Sequence, residues 1–218
     1  MKDHKKSALI SRFLVANQLK DVKRYSSQKR FGESVADHTY NMIFMAMELI
    51  EKYNLDLDVK NVIDLIRVHD LLEIGLAQDY ESIKTNKCEI LKEQKAEFEA
   101  ENMQRMVEIF GNKFHELINE YEQQQTPESR FVKALDKLEC CVHKMSRGLK
   151  NIESVEFDAT SPHKHVANYP PLIPFWQELQ GEMKVQYTNA GFNWDDKFNF
   201  KPKQGHEYQR PLEQLQWF

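Results

Sequence analysis

Apolar residues recur along most of the chain at intervals of three and four positions, which is the spacing of one face of an α-helix. The pattern predicts helices over about residues 5–21, 34–53, 58–72, 88–110, 113–123, 126–148 and 175–187. No run alternates between apolar and polar residues as a half-buried strand does. The pattern therefore predicts an all-α fold, and it assigns no defined structure to about the last thirty residues.

Several of these helices begin with residues that cap a helix N-terminus. Ser34 followed by Asp37 is a variant of the capping box, in which each side chain bonds the backbone N–H of the other residue. Asp58 is a second candidate cap. Thr126 followed by Pro127 places a capping hydroxyl before a residue that suits the first helical position. These signals predict where the second, third and sixth helices begin.

Composition places the chain among ordinary helical proteins that build their own core. Of 218 residues, 41% are hydrophobic, and 7 glycines and 7 prolines are few for a β-rich protein with many tight turns. The length suits one domain, or one domain with a C-terminal elaboration.

Charge and cysteine content narrow the class of protein. The formal net charge of −4 is mild and the charges are interspersed, so the sequence lacks the basic patch with which proteins bind a nucleic-acid polymer. No run reaches the roughly 18 apolar residues of a membrane span. The cysteines number 3, and Cys140 and Cys141 are adjacent, so they point apart on a helix. This usage favours a reduced, cytoplasmic compartment.

The His69-Asp70 pair is the first candidate for chemistry. His69 shares a helix face with Val62, Leu65 and Ile66, so the helix directs its imidazole into the interior. Asp70 lies about 100° further round the helix. A carboxylate there is costly to bury unless it is paired or bound to a metal. For such a pair alone, a histidine satisfied by a local carbonyl is the commoner outcome.

Two more polar residues stand where core positions are expected. His38 lies in the first turn of the second helix, and Asp136 lies within an apolar stretch of the sixth. Taken alone, each has an ordinary structural interpretation, as a surface histidine near a cap and an exposed helix aspartate. The order of the four residues along the chain changes that interpretation.

The order His38, His69-Asp70, Asp136 resembles the HD superfamily of metal-dependent phosphohydrolases. Three segments are similar to the branch that contains the bacterial 5′-deoxynucleotidases: Glu33-Ser-Val-Ala-Asp-His38, His69-Asp-Leu-Leu-Glu73 and Phe131-Val-Lys-Ala-Leu-Asp-Lys-Leu-Glu139. The likeness covers about residues 5–150. It implies an all-α HD-domain helical bundle over 1–150, with 151–218 as a C-terminal extension packed on it, and it favours a homodimer.

The same resemblance implies that His38, His69, Asp70 and Asp136 hold a divalent metal ion. Two imidazoles and two carboxylates make a mixed nitrogen and oxygen site, which suits Mn²⁺, Co²⁺, Fe²⁺, Ni²⁺ or Zn²⁺. Such an ion polarises a phosphoryl oxygen and lowers the pKa of a bound water.

Catalytic carboxylates are expected just after the His69-Asp70 pair. Glu73 follows His69 by one helical turn, and the resemblance makes it the candidate acid or base. Asp79 is a second candidate, in a loop that is one residue longer than the family's. His143 lies seven residues after Asp136 and so on roughly the same helix face. It is a candidate to contact a metal ligand without binding the ion itself.

Substrate contacts are expected in the basic connection 22–32. Arg24 is the candidate phosphate clamp, because a guanidinium takes two phosphate oxygens at once. Lys23 and Arg30 are competing clamps. The related enzymes have an Arg-Trp pair here, whereas this chain has Arg24-Tyr25, so Tyr25 is a candidate for contact with the sugar.

Three hypotheses for function remain at this stage. The first is phosphomonoester hydrolysis on a small nucleotide, with a deoxynucleoside 5′-monophosphate as the first choice of substrate. The second keeps the metal and changes the substrate to a cyclic or pyrophosphorylated nucleotide or to another small phosphorylated metabolite, because a fold does not fix its substrate. The third is an HD protein that binds a nucleotide or a partner without turnover.

Overall fold

The computed structural model of the chain describes residues 7–24, 32–76, 88–149, 152 and 154–202. Within these ranges the structure is built from helices and contains no β-strand, which confirms the predicted all-α fold. The α-helices are α1 (Ala8–Ala16), α2 (Val35–Tyr53), α3 (Val59–Val68), α4 (Glu89–Phe110), α5 (Asn112–Gln123), α6 (Pro127–Arg147), α7 (Val155–Thr160), α8 (His163–Asn168) and α9 (Ile173–Asn189). Short 3₁₀ turns cover Asn17–Lys20, Leu71–Glu73, Pro170–Leu172 and Asp196–Phe198. None of the described helices has the length and apolar character needed to cross a membrane.

The helix α2 begins at the predicted capping box. Asp37 N–H donates to Ser34 Oγ at 3.1 Å, and Ser34 N–H donates to Asp37 Oδ2 at 2.9 Å. Two of the backbone donors at the start of the helix are therefore satisfied by side chains. The cap fixes the first turn of α2, and His38 lies buried in that turn.

The helix α3 ends one residue before His69, earlier than predicted. Asp70 has φ −107° and ψ 10°, and the chain then enters the 3₁₀ turn Leu71–Glu73. The carbonyls of Leu72 and Ile74 accept from the Asn102 side-chain amide of α4, each at 2.7 Å. These bonds satisfy backbone carbonyls in and just after the 3₁₀ turn, so α4 holds the segment that directly follows the two candidate ligands.

The helix α6 is the central element, and it packs against α2, α3, α5, α8 and α9. Its fully buried residues include Phe131, Leu135 and Leu138. Each such side chain stabilises the fold by about 1.5–3 kcal/mol relative to an exposed position. A polar residue of α6 that faces inward therefore lies in a rigid, water-poor setting.

The C-terminal helices close the bundle. Trp176 and Tyr187 of α9 are fully buried in the same core as the N-terminal helices. Tyr187 OH donates to Asp158 Oδ2 of α7 at 2.8 Å, and the other oxygen of Asp158 pairs with Lys144 of α6. This buried polar cluster ties α7 and α9 to the central helix.

Candidate metal centre

Three elements bring the four predicted ligands together. His38 comes from the first turn of α2, His69 and Asp70 from the end of α3, and Asp136 from the middle of α6. His38 Nε2 lies 3.3 Å from Asp136 Oδ1 and 4.0 Å from Asp70 Oδ2. His69 Nε2 lies 3.1 Å from Asp70 Oδ2. The ligand atoms of His38, His69 and Asp136 all lie within 4.8 Å of one another, as the donors around one ion do.

Both imidazoles are turned so that Nε2 faces the shared space. His38 Nδ1 lies 2.5 Å from Glu139 Oε2, and His69 Nδ1 lies 2.7 Å from the carbonyl oxygen of Ile66. Each Nδ1 is thus occupied by an acceptor, and Nε2 is the atom directed into the shared space. Both Nε2 atoms are buried and face carboxylate oxygens, His38 toward Asp136 and His69 toward Asp70. A ring fixed through one nitrogen, with the other directed at neighbouring donor atoms, is the arrangement of metal-binding histidines, so these residues fit a metal ion.

The carboxylate of Asp136 is held in the same directional way. Its Oδ1 faces His38, and its Oδ2 accepts from Tyr121 OH at 3.3 Å and lies 2.8 Å from Lys137 Nζ. One oxygen is therefore tied to the protein and the other is left for the ion. Asp70 differs in exposure, since its side chain is 16% exposed whereas those of both histidines are fully buried. The centre thus opens to solvent on the side of Asp70.

Charge around the centre favours a cation. Three carboxylates face the two histidines, and two basic side chains pair with them: Asp70, Asp136, Glu139, Arg24 and Lys137. With both imidazoles neutral, the group carries an excess of negative charge that a metal ion offsets. Oxygen and imidazole donors without a thiolate suit the first-row transition metals.

The local charges also set the protonation states. Burial raises the pKa of Asp70, but His69 and Arg24 outweigh burial and hold the pKa below its usual range. Burial and the charge of Arg24 lower the pKa of His38, but the carboxylates of Asp136 and Glu139 outweigh them and raise it to about 10. A metal ion therefore competes with a proton for His38.

Arg24 lies against both candidate carboxylate ligands. Its Nη1 is 3.2 Å from Asp70 Oδ2, and its Nη2 is 4.0 Å from Asp136 Oδ1. The backbone holds it there, because Arg24 N–H donates to the carbonyl of Glu33 at 2.7 Å and Lys23 forms an antiparallel bridge with Ser34. A phosphate oxygen on the ion would lie within reach of this guanidinium.

The remaining predicted residues are placed differently. Glu73 is buried in the 3₁₀ turn that follows Asp70, with its Oε1 3.8 Å from Lys95 Nζ of α4. Since α3 ends at Val68, Glu73 does not continue the helix face of His69 as predicted. The side chain of Lys23 is exposed, and its Nζ lies 3.5 Å from the carbonyl of Lys20. The candidates Tyr25, Arg30 and Asp79 lie outside the described residues.

Sequence reasoning assigned no role to several residues that build the centre. Glu139 and Glu33 stood within the segments that carried the family resemblance, and Glu139 follows Asp136 by three positions, on the same helix face. That spacing is a usable signal. Tyr121 and Lys137 gave none, because Tyr121 comes from another helix and Lys137 is adjacent to Asp136, a spacing that places the two Cβ atoms on different sides of a helix.

Comparisons with known proteins identify the family of the chain. The HD domain family model matches residues 16–170. The 5′-deoxynucleotidase HDDC2 of Homo sapiens is 30% identical over 206 residues, which cover 86% of this chain and 92% of the human protein. Its counterpart in Mus musculus is 34% identical over 192 residues, covering 82% of this chain and 90% of the mouse protein.

Solved structures share the same fold. A protein from Pyrococcus horikoshii OT3 has a TM-score of 0.60 at 24% identity, over 80% of this chain and 99% of that one. A protein from Magnetospirillum magnetotacticum MS-1, described as a predicted metal-dependent phosphohydrolase, has a TM-score of 0.54 at 19% identity, over 89% of this chain and 98% of that one. The family model, the relatives and the shared fold confirm the resemblance noted in the sequence: the chain belongs to the HD-domain family of metal-dependent phosphohydrolases.

Proposed function

We propose that this protein is a metal-dependent phosphohydrolase that releases phosphate from deoxynucleoside 5′-monophosphates. One observation carries the proposal: a guanidinium lies beside both carboxylates of a buried two-histidine, two-carboxylate cluster. Metal ligands and a phosphate-binding cation are thus adjacent, as phosphoryl chemistry requires. The names of the human and mouse relatives, both 5′-deoxynucleotidases, support the choice of substrate.

Each residue then has a defined task. His38, His69, Asp70 and Asp136 hold the ion, which supplies Lewis acidity toward the phosphoryl group and a water acidic enough to act near neutral pH. Arg24 binds the phosphate oxygens and offsets their charge from the solvent-accessible side near Asp70. Glu73, buried beside Lys95, handles a proton during the reaction.

Candidate residues from two sequence segments, 22–32 and 75–86, complete the proposal. Tyr25 contacts the sugar, Asp79 is a second carboxylate near the substrate, and Lys23 and Arg30 are alternative contacts for the phosphate. These roles come from positions in the family motif. Single alanine variants of the four residues, compared by KM for the same nucleotide, rank their contributions.

The donor atoms determine which metal ions the site can bind. Imidazole and carboxylate groups without a thiolate accept Mn²⁺, Co²⁺, Fe²⁺, Ni²⁺ or Zn²⁺, so affinity order alone does not identify the ion. Metal analysis of the protein as purified, followed by removal and reloading with each ion, identifies the one that gives the highest activity.

The decisive experiment measures phosphate release with matched substrates. A 5′-deoxynucleotide is compared with its ribonucleotide, its 3′-phosphate isomer and the corresponding cyclic nucleotide, each with added Mn²⁺, Co²⁺ or Mg²⁺. We expect metal-dependent release, fastest from the 5′-deoxynucleotide. Asp136→Asn is expected to abolish phosphate release. Asp158→Asn, which changes a buried aspartate that pairs with Lys144 and Tyr187, is expected to leave phosphate release in place. Release from none of these compounds by a metal-loaded protein would reject the proposal.

We further propose a homodimer in the cytoplasm. Tyr40, Phe44 and Met47 are exposed along one side of α2, and exposed apolar stripes of this kind often mark contact surfaces. All three cysteines are free, as in a reducing compartment. Light scattering during size exclusion is expected to give twice the chain mass, and Phe44→Glu is expected to reduce it to one chain. A wild-type mass of one chain would contradict the dimer.

A further inference from the structure

Three buried ionisable side chains form a row behind the metal centre. Arg24 is 8% exposed, Glu33 4% and His143 5%. His143 Nδ1 lies 3.1 Å from Glu33 Oε1, and Glu33 Oε2 lies 3.5 Å from Arg24 Nε. Glu33 precedes the cap of α2, and His143 lies near the end of α6. Only Arg24 has a task in the proposed reaction, so the other two buried groups require an explanation.

The position of Glu33 on the guanidinium is informative. Glu33 occupies the Nε edge of Arg24, whereas Nη1 and Nη2 are directed toward Asp70 and Asp136. A guanidinium is planar and rigid, so holding one edge fixes the direction of the other donors. Cys140 Sγ, 3.2 Å from Nη2, borders the same group. The contact with Glu33 therefore sets which way Arg24 presents its phosphate-binding face.

The role of His143 follows from the cost of burial. A carboxylate taken out of water is destabilising unless ionisable partners lie beside it. Arg24 approaches Glu33 on one oxygen and His143 approaches it on the other, both at ion-pair distance, and neither oxygen has a hydrogen-bond partner among the described residues. Because α6 also carries Asp136, the contact with His143 relates Glu33 to the helix that supplies a metal ligand. The three residues thus link the direction of the Arg24 guanidinium to α6.

We propose that Glu33 and His143 are positioning residues for Arg24: His143 orients Glu33, and Glu33 aligns the guanidinium with the phosphate. Neither residue touches the substrate. The inference rests on the proposed function, because it assumes that Arg24 binds a phosphate. It predicts that disturbing the pair weakens phosphate binding to the metal-saturated protein.

Isosteric variants separate positioning from folding. Glu33→Gln keeps the size of the side chain and removes its charge, so the KM for the nucleotide and the inhibition constant of inorganic phosphate are expected to rise about tenfold, since a charge-assisted contact is lost. His143→Leu removes the donor and is expected to do the same. His143→Asn keeps an N–H donor near the place of Nδ1 and is expected to restore most of the binding.

The control is a buried pair outside the row of Arg24, Glu33 and His143. Asp158 pairs with Lys144, the residue next to His143, and also bonds Tyr187. Asp158→Asn is expected to lower the thermal midpoint while leaving the KM and the phosphate inhibition constant at wild-type values. If Glu33→Gln and His143→Leu behave in the same way as this control, with only the midpoint lowered, the pair is structural and the inference is wrong.

The measurements also distinguish a failure of the inference from a failure of the proposed function. Phosphate release by the wild type tests the function first. If no nucleotide is hydrolysed, calorimetric titration of the Mn²⁺-loaded variants with inorganic phosphate still tests the positioning of Arg24. Weaker phosphate binding at saturating Mn²⁺ in Glu33→Gln and His143→Leu, recovered in His143→Asn, supports the inference. Equal phosphate affinity in all variants, or no phosphate binding by the wild type, overturns it.

Discussion

At the scale of single residues, the two metal-facing histidines have partners of different kinds. His38 Nδ1 is matched with the Glu139 carboxylate, and His69 Nδ1 with the backbone carbonyl of Ile66. A carboxylate increases the basicity of the ring more than a carbonyl does, and it can be changed by mutation. Glu139 is held in turn by Asn41, whose amide donates to Oε1 at 3.2 Å.

Glu139→Gln is therefore expected to weaken metal binding. The amide keeps the shape of the side chain but loses the charge that orients His38, and changes of this type cost about 10- to 100-fold in affinity. A competition titration with a fluorescent chelator measures the dissociation constant. Glu128→Gln, at the start of the same helix, where Glu128 bonds the Asp58 backbone, is the matched control. Equal metal affinity in both variants would contradict this role of Glu139.

Lys137 provides a second residue-scale test. Its ammonium holds Asp136 Oδ2 together with Tyr121, so Oδ1 stays directed at the ion. Lys137→Met is expected to lower metal affinity about tenfold. Tyr121→Phe is expected to have a smaller effect, because the ionic contact remains. The control is Lys184→Met, which removes a lysine of α9 that pairs with Asp196. An unchanged dissociation constant in Lys137→Met would show that Tyr121 alone fixes Asp136.

Among individual residues, the sequence predicted the metal ligands better than the groups that orient those ligands. His38, His69, Asp70 and Asp136 were proposed from spacing and family motif. The Ile66 carbonyl that orients His69 is a backbone group, and no residue type signals it. Lys137 follows Asp136 directly, a spacing that does not indicate a shared helix face, yet its long side chain reaches back to the carboxylate.

At the scale of elements, the capping box of α2 links helix stability to the metal centre. Ser34→Ala removes an N-cap and is expected to cost about 1 kcal/mol in the free energy of unfolding. Because His38 lies in the turn that Ser34 fixes, metal affinity is expected to fall as well. Denaturant unfolding and metal titration measure the two effects.

The cap of α6 offers the comparison. Thr126 accepts from Ser129 N–H at 3.1 Å, and Asp136 lies more than two turns further along. Thr126→Ala is expected to cost a similar free energy of unfolding and to leave metal affinity unchanged. If both variants lose metal affinity equally, the effect of Ser34 is one of global stability.

Helix prediction from the sequence succeeded where the signals are local. The start of α2 at Ser34, the end of α4 before Gly111 and the start of α6 at Thr126 match the predicted boundaries. The helices α7 and α8 were not predicted, because helices of 6 residues show too little periodicity and depend on tertiary packing. The 3₁₀ turn that replaces the predicted end of α3 was also missed. Its carbonyl at Leu72, and the one at Ile74, are bonded by Asn102, which belongs to another helix.

At the scale of the whole molecule, metal binding and folding are linked. The ligands come from α2, α3 and α6, so an ion that binds only the folded chain stabilises their packing. At a metal concentration of 100 times the dissociation constant, the expected gain in the free energy of unfolding is about 2.7 kcal/mol. Chelation with EDTA is expected to lower the thermal midpoint of the wild type.

The ligand variant completes that test. Asp136→Asn is expected to show the same midpoint with and without EDTA, because it no longer binds the ion. Differential scanning calorimetry of the two proteins, each with and without chelator, measures the four midpoints. A midpoint of the wild type that EDTA does not change would mean that the site does not hold the ion in the folded protein.

The central position of α6 has a consequence for hydrogen exchange. One face of this helix carries Asp136, Glu139 and His143, and its other faces pack against most of the bundle. Amides in such an element exchange with solvent only through global opening, whereas loops and chain ends open locally. The Asp136 ligand is therefore lost only when α6 itself opens. Loss of this ligand and deuterium uptake in α6 are expected to share one kinetic barrier, that of global opening.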